Sequence, residues 1–212
     1  MELTIGQVAT ATNTTEQYVR RAIAAGQLGA LRQIGNTVIV DDLALQVWDR
    51  SRARGRQWSD EVARAALELL DTGSTQLLSS SERSRLRGRL RTITARDLAH
   101  MLGGLGGGWA RYRREDSGKG VRLARPTGLT QDQLRQLGVV GQGSFVRIVV
   151  TEDLDAFEAD NPVTLDASGN LGVIERNNAM SRARLMLDSY LLGDTRESAA
   201  AAAALEDAAH GL

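Results

Sequence analysis

The chain has 212 residues and a hydrophobic fraction of 42%, enough apolar material for one or two ordinary cores and too much for a disordered chain. It contains no cysteine, which excludes disulfides and thiolate metal sites. With no leader-like segment and no apolar run near the roughly 20 residues that a membrane span needs, a soluble cytoplasmic protein without membrane contact is expected.

The formal net charge is zero, but residues 50–125 hold 17 basic and 8 acidic side chains, whereas residues 126–212 hold 6 and 13. A basic middle suits contact with phosphates, and an acidic end, repelled by DNA, is left for a different partner.

From the N-terminus, Thr4 followed by Gln7 is a capping-box pattern that opens a short helix with Ile5, Val8 and Ala9 on one face. Thr14 with Gln17 repeats the pattern. The helix it opens turns Val19, Ala22 and Ile23 inward before Gly26 stops it, and leaves Gln17, Tyr18, Arg20 and Arg21 outward. Two short helices joined by a polar turn, the second presenting groups that can bond base edges, describe a helix-turn-helix. Residues 28–34 and 37–40 are then two apolar-rich runs around Gly35-Asn36, a dipeptide suited to a type II′ hairpin turn. That hairpin is a wing, with Arg32, Gln33 and Asn36 at or near its tip. Asp41 or Asp42 caps a third helix with Leu43, Val47 and Trp48 toward the core.

The run TIGQVATATNTTEQYVRRAIAAGQLGALRQIGNTVIVDDLALQVW resembles the winged helix-turn-helix of the MerR and excisionase superfamily over nearly all of residues 3–50. Ile5 and Val8, the Thr15-x-x-Tyr18-Val19-Arg20-Arg21 segment, Gly26-x-Leu28, Gly35-Asn36 and Asp42-Leu43 carry the resemblance. It implies binding to double-stranded DNA through a recognition helix that starts at Thr15. Gln17, Tyr18 and Arg21 are expected on base edges, Arg20 and Arg32 on phosphates, and Gln33 and Asn36 at the wing; no cofactor or metal is expected.

Residues 51–57 are polar, basic and broken by Gly55, so they read as a helix tail and linker that ends a DNA-binding domain at 1–57. A basic helical segment follows over 58–104. Ser59 caps one helix with Val62, Ala66, Leu69 and Leu70 inward, and residues 79–82 open another in which Leu86 and Leu90 face inward. Arg83, Arg85, Arg87, Arg89 and Arg91 crowd its remaining surface. They form either a phosphate-facing stripe, with Arg83 and Arg87 as candidate DNA contacts, or a solvated basic face. Thr94 begins a further helix, and the glycine-rich run 103–108 predicts a hinge.

Over 105–212 the expected fold is a mixed helix and antiparallel-sheet domain, which makes the whole chain α+β. Residues 109–114 and 121–124 read as a hairpin, Thr130 caps a helix, 145–150 is an apolar strand, 151–157 a short helix, and 163–174 a hairpin turning at 167–170. Two helices close the chain. The first, over 179–192, places Ala183, Leu187, Tyr190 and Leu191 on one face, either core or a docking surface. The second, over 195–209, is capped by Thr195 with Ser198 and is alanine-rich, either from close packing on a helix or partner or from compositional drift.

Catalytic patterns are scarce: His100 and His210 are the two histidines, and neither a P-loop nor a dinucleotide fingerprint is present. Gly143-Ser144 followed by Asp153-x-Asp155 superficially resembles the metal-holding signature of nucleotidyltransferases, although acids in a first helical turn are explained by the helix dipole. No enzymatic activity is expected. From residue 109 onward the order of elements, with Gly169-Asn170, Asp188 and Gly193-Asp194-x-Arg196, is similar to the C-terminal domain of AbiEi-type antitoxins. That similarity implies a repressor, the autorepressing antitoxin of a toxin–antitoxin operon, with a protein toxin as partner. An excisionase-like architectural factor is the alternative, and a nucleotidyltransferase a third.

Overall fold

In a computed structural model, residues 2–25, 27–28, 32–35, 37–105, 108–114, 125–139, 146–166, 169–176 and 181–212 are described. The fold is α+β. The chain divides into two compact units, Met1–Arg52 and Ala53–Leu212. The expected boundary at 57 therefore falls a few residues earlier. Residues 58–104 do not form a segment of their own, since their helices pack on the last two helices of the second unit.

In the first unit, strand β1 (Glu2–Thr4) leads into α1 (Ile5–Ala11) and α2 (Glu16–Ala24), then β2 (Arg32–Ile34), β3 (Thr37–Asp41) and α3 (Asp42–Ser51). The strands form an antiparallel sheet in the order β1-β3-β2, with Leu3 opposite Val40 and Gln33 opposite Val38. The expected hairpin over 28–40 is thus two strands of three. No local signal marks β1, because three residues are too few for an alternating pattern and Leu3 pairs with Val40, far away in sequence. Thr4 and Gln7 do form the expected capping box, the Thr4 N–H donating to Gln7 Oε1 at 2.8 Å. Ile5, Val8, Val19, Ala22, Leu28, Ile39, Val40, Leu43, Val47 and Trp48 are buried together as the unit's core. Ile34 pairs with Thr37 across Gly35, whose φ of +58° is a conformation that glycine adopts without a Cβ clash; Asn36 lies outside the described residues.

The second unit begins with α4 (Asp60–Thr72), α5 (Ser80–Leu90) and α6 (Ala95–Met101), capped by Ser59, Ser79 and Thr94. There follow β4 (Trp109–Arg114), β5 (Arg125–Thr127), α7 (Gln131–Gln136), β6 (Arg147–Thr151), α8 (Leu154–Asp160), β7 (Val163–Leu165), β8 (Leu171–Glu175), α9 (Arg182–Leu192) and α10 (Thr195–His210). Five strands make one sheet in the order β5-β6-β8-β4-β7. The expected hairpin over 163–174 is corrected by it, since β4 lies between β7 and β8 instead of those two pairing; of the hairpin expected from 109–114 and 121–124, residues 115–124 lie outside the described residues. β6 and β8 run parallel, the other pairs antiparallel. Sequence neighbours suggest hairpins by proximity, but the apolar faces of β4, β6 and β8 are all buried at the sheet's centre, and that burial decides the pairing.

Helix α9 packs on α4, α6, α10 and β6 and is therefore surrounded. Leu187 and Leu191 are fully buried and Tyr190 nearly so, which rules out the docking surface they were expected to offer. Alanine-rich α10 lies along α9 and buries Ala201, Leu205 and Ala209 at four-residue spacing, so its small side chains serve close helix packing. Its cap is Asp194 with Glu197, not Thr195 with Ser198: Asp194 Oδ1 accepts from the Arg196 and Glu197 N–H groups, and Ser198 Oγ donates to the Tyr190 carbonyl at 2.7 Å.

A buried polar cluster joins the layers. Asp188 is wholly buried between Arg176, which bonds both its oxygens at 3.0 and 2.6 Å, and Arg184, whose Nε donates at 3.0 Å; Thr127 Oγ1 adds a fourth bond at 2.7 Å. Three further guanidinium N–H bonds go to the Gly104 and Leu105 carbonyls. Leu105 is buried, and Gly108 O accepts from the Glu175 N–H at 2.8 Å. The hinge expected over 103–108 is thus pinned at 104, 105 and 108, while 106–107 lie outside the described residues.

On the other side of the sheet, Tyr112, Val149, Phe157, Leu171 and Val173 form a core under α8. Burial of Tyr112, reinforced by Glu158, pushes its hydroxyl pKa up to about 12. The neutral phenol is the form the fold favours, so this contribution to stability is complete below pH 10 and is lost as pH rises through 12. An absorbance titration of the three tyrosines is expected to show a late step near pH 12 that disappears in Tyr112→Phe. A wild-type curve with every tyrosine titrating near pH 10 contradicts it.

Candidate nucleic-acid interface

The site expected from sequence lies on α2. Its N-cap is Thr15, whose Oγ1 accepts from the Tyr18 N–H at 3.2 Å, one residue later than the Thr14 and Gln17 capping box read from the pattern. The shift has a local cause. Thr14 belongs to the α1–α2 turn, where its N–H donates to Ala9 O at 2.9 Å and its hydroxyl meets Thr12 Oγ1 at 2.9 Å. Gln17 is consequently exposed rather than folded back as a cap.

The turn is built from Thr12, Asn13 and Thr14. Asn13 sits at φ +51°, the left-handed region that asparagine tolerates better than most side chains. Thr12 is buried and donates to Val8 O at 2.7 Å. From below, Arg52 Nη2 donates to Thr12 O at 3.0 Å while its Nε pairs with Asp49 at 2.9 Å and its guanidinium lies 5.1 Å from the Trp48 ring centroid. Arg52 was read as linker; it is the brace of this turn. No local signal marks it, because its partner lies 40 residues away in sequence.

With Val19 and Ala22 buried, helical geometry turns Gln17, Arg20 and Arg21 outward together. All three are exposed. Arg20 pairs with Glu16 at 3.6 Å across two well-exposed side chains, an ion pair that contributes little to stability. Arg21 has no ion-pair partner among the described residues. Tyr18 is 38% exposed and its ring stands 5.8 Å from Trp48, so half of it is packing between α2 and α3. Arg32 and Gln33 are placed on β2, opposite Ile39 and Val38. Asn36, expected at the wing tip, lies outside the described residues.

Arg83 and Arg87 are in the second unit on α5, and each is half-buried. Arg83 Nη1 donates to Thr75 O at 2.7 Å and Arg87 Nη2 donates to Gly73 O, so both tie down the loop between α4 and α5. Gly73, at φ +73°, ends α4 in the left-handed conformation that frees its carbonyl for this bond. Arg89 lies over the Trp58 ring at 5.4 Å and Arg91 donates to Leu212 O at 2.6 Å. The arginine row is therefore largely engaged within its own unit rather than free as a stripe.

The acidic pattern at 153–155 has a structural account. Asp153 caps α8, accepting from the Ala156 N–H at 2.9 Å, and Asp155 is in its first turn. Gly143 and Ser144 lie outside the described residues. Among the described residues no group of three or more His, Asp or Glu side chains could hold a metal ion, and no helix is long and apolar enough to cross a membrane. His100 Nε2 lies 2.9 Å from the Gly55 carbonyl, a contact between loop and helix end. Compared with known proteins, the chain matches no protein-family model, no curated protein and no solved structure.

Proposed function

We propose that the protein is a non-enzymatic, sequence-specific transcriptional regulator that binds double-stranded DNA, its first unit acting as a winged helix-turn-helix. The observation that carries this reading is the outward face of α2. Gln17, Arg20 and Arg21 stand together on a helix whose start is fixed by Thr15 and whose approach is fixed by the Asn13 turn and Arg52. A short helix presented after a tight turn, beside a two-strand ribbon, has the dimensions of a major-groove reader. Arg21 and Gln17 are assigned to base edges, Arg20 and the β2–β3 ribbon to phosphates. Arg83 and Arg87 are left out because the 73–75 loop already occupies them.

The test is selection from a random duplex pool with the whole chain, followed by binding titrations. A consensus site is expected to emerge. Arg20→Ala, Arg21→Ala is expected to weaken binding to it by roughly 1 to 3 kcal/mol for the base contact of Arg21, while loss of the Arg20 phosphate contact weakens binding to the consensus and to unrelated duplex alike. Failure to enrich any sequence, or an unchanged footprint in the double variant, would refute the reading.

The finer proposal is an autorepressing antitoxin in the cytoplasm, its second unit engaging a protein toxin. Support comes from the charge of that unit's C-terminal part: residues 126–212 carry 13 acidic against 6 basic side chains and are suited to a basic partner, whereas the basic excess of the unit lies in residues 53–125. Rescue of growth when the chain is co-expressed with the product of the adjacent gene is the expected result.

A further inference from the structure

We propose that β7 is a docking edge to which a basic, extended segment of a partner protein adds as a sixth strand of the sheet. The inference rests on the partner half of the reading above and is independent of DNA binding.

β7 ends the sheet and pairs only with β4 among the described residues, Val163 opposite Arg114, Thr164 opposite Arg113 and Leu165 opposite Tyr112. The Asp166 N–H donates to Arg111 O at 2.9 Å. Bonded and non-bonded pairs alternate along an antiparallel ladder, so a bonded 166–111 pair makes 164–113 the next bonded pair. The N–H and C=O of Leu165 and the C=O of Val163 then point away from β4. The Val163 N–H is already used, donating to Asn161 O at 2.9 Å. What remains is the pattern that a short incoming strand satisfies.

The side chains define the occupant. Leu165 is 56% exposed, the most exposed large apolar side chain among the described residues, and as the cross-strand neighbour of Tyr112 it stands on the same face as the Tyr112–Phe157 core. Val163, on that face too, packs against this core. An apolar side chain laid over Leu165 extends the core outward. The segment that forms this edge is acidic, residues 148–175 containing seven acidic and no basic side chains, while the neighbouring strand β4 brings Arg111, Arg113 and Arg114. Exposed Asp155, Glu158 and Asp160 lie on α8, and the Glu158 and Asp155 charges act on the hydroxyl of Tyr112, the cross-strand neighbour of Leu165. Asp166, on the opposite face, is paired with Arg113 at 2.7 Å; on the α8 side the one arginine of β4, Arg114 opposite Val163, stands against Asp155, Glu158 and Asp160, so acidic charge is in excess there. An alternation of apolar and Lys or Arg side chains therefore fits, one set over Leu165 and the acids. A second copy of this chain does not, because β7 against β7 would set these acids against each other.

The experiment uses the isotope-labelled whole chain and a nine-residue alternating Lys/Val peptide with blocked ends, with a Glu/Val peptide as counterpart. Saturable binding of the Lys/Val peptide is expected, with slowed exchange of the Leu165 amide and affinity that falls with added salt. Leu165→Pro, which removes the outward N–H, is expected to weaken it roughly tenfold, the scale of one hydrogen bond lost with its geometry. Asp155→Lys, Glu158→Lys is expected to reverse the preference to the Glu/Val peptide, and it keeps the proposal testable if the proline variant does not fold. No binding, binding with an unchanged Leu165 amide, binding that both variants leave intact, or protection of Leu165 that grows with protein concentration alone would each overturn it. DNA binding is measured on the same samples. Its loss with peptide binding intact sinks the regulator reading alone, and the reverse sinks the edge alone.

Discussion

Asp188→Ala is expected to lower the stability of the second unit by about 3 to 5 kcal/mol, the range for breaking a buried ion pair by removing one partner. The reason is the group's surroundings. Asp188 has no solvent exposure and is the single carboxylate between Arg176 and Arg184, both 7% exposed. Burial lowers the Arg184 pKa and Asp188 acts the other way, so deletion leaves two guanidinium groups sharing a site with no counter-charge. The same two arginines hold the Gly104 and Leu105 carbonyls, which couples the loss to the connection after α6. Asp188→Asn keeps the shape but not the charge and is expected to be nearly as damaging. Urea denaturation followed by far-UV circular dichroism measures it; a loss below about 1 kcal/mol contradicts the assignment. Replacing all three members by apolar residues of similar volume is a different case, because it also removes the desolvation cost, and is expected to be far milder.

Trp48→Ala is expected to unfold the first unit outright. Truncating a buried tryptophan costs about 3 to 5 kcal/mol, and a unit of some 50 residues buries too little surface to hold much in reserve. Trp48 is 2% exposed, backs Tyr18 on α2 and lies under the Arg52 guanidinium that braces the turn. Its loss removes core area and the support of the outward α2 face together. Unit 1 resonances are expected to collapse while those of residues 53–212 persist, and any DNA binding should go with them. Arg20→Ala, Arg21→Ala, by contrast, should relax specificity at the base Arg21 reads, in a folded protein. A Trp48→Ala protein that keeps a dispersed first-unit spectrum would show that the small core has other support.

What the sequence by itself determined are the features whose cause is local. Capping residues with their partners three positions on mark α1, α4, α5, α6 and α7, because an N-cap bond is made within one turn. Apolar spacing identified the inward sides of α2 and α3, and hence which residues of α2 face outward, since 3.6-residue periodicity is enough for that. Tertiary structure alone decided the rest. The strand order β5-β6-β8-β4-β7, the third strand of the first unit and the burial of α9 on all sides depend on which distant surfaces meet. Asp188, Arg176 and Arg184 look like surface charges in sequence, and only the meeting of α9 with the 104–105 carbonyls makes them a core cluster. Arg83 and Arg87 likewise looked free for phosphate until the α4–α5 loop closed on them, and Arg52 looked like linker until α3 brought it beneath Thr12. Charged side chains are long and their partners lie far away in sequence, so their roles are assigned by folding and not by pattern.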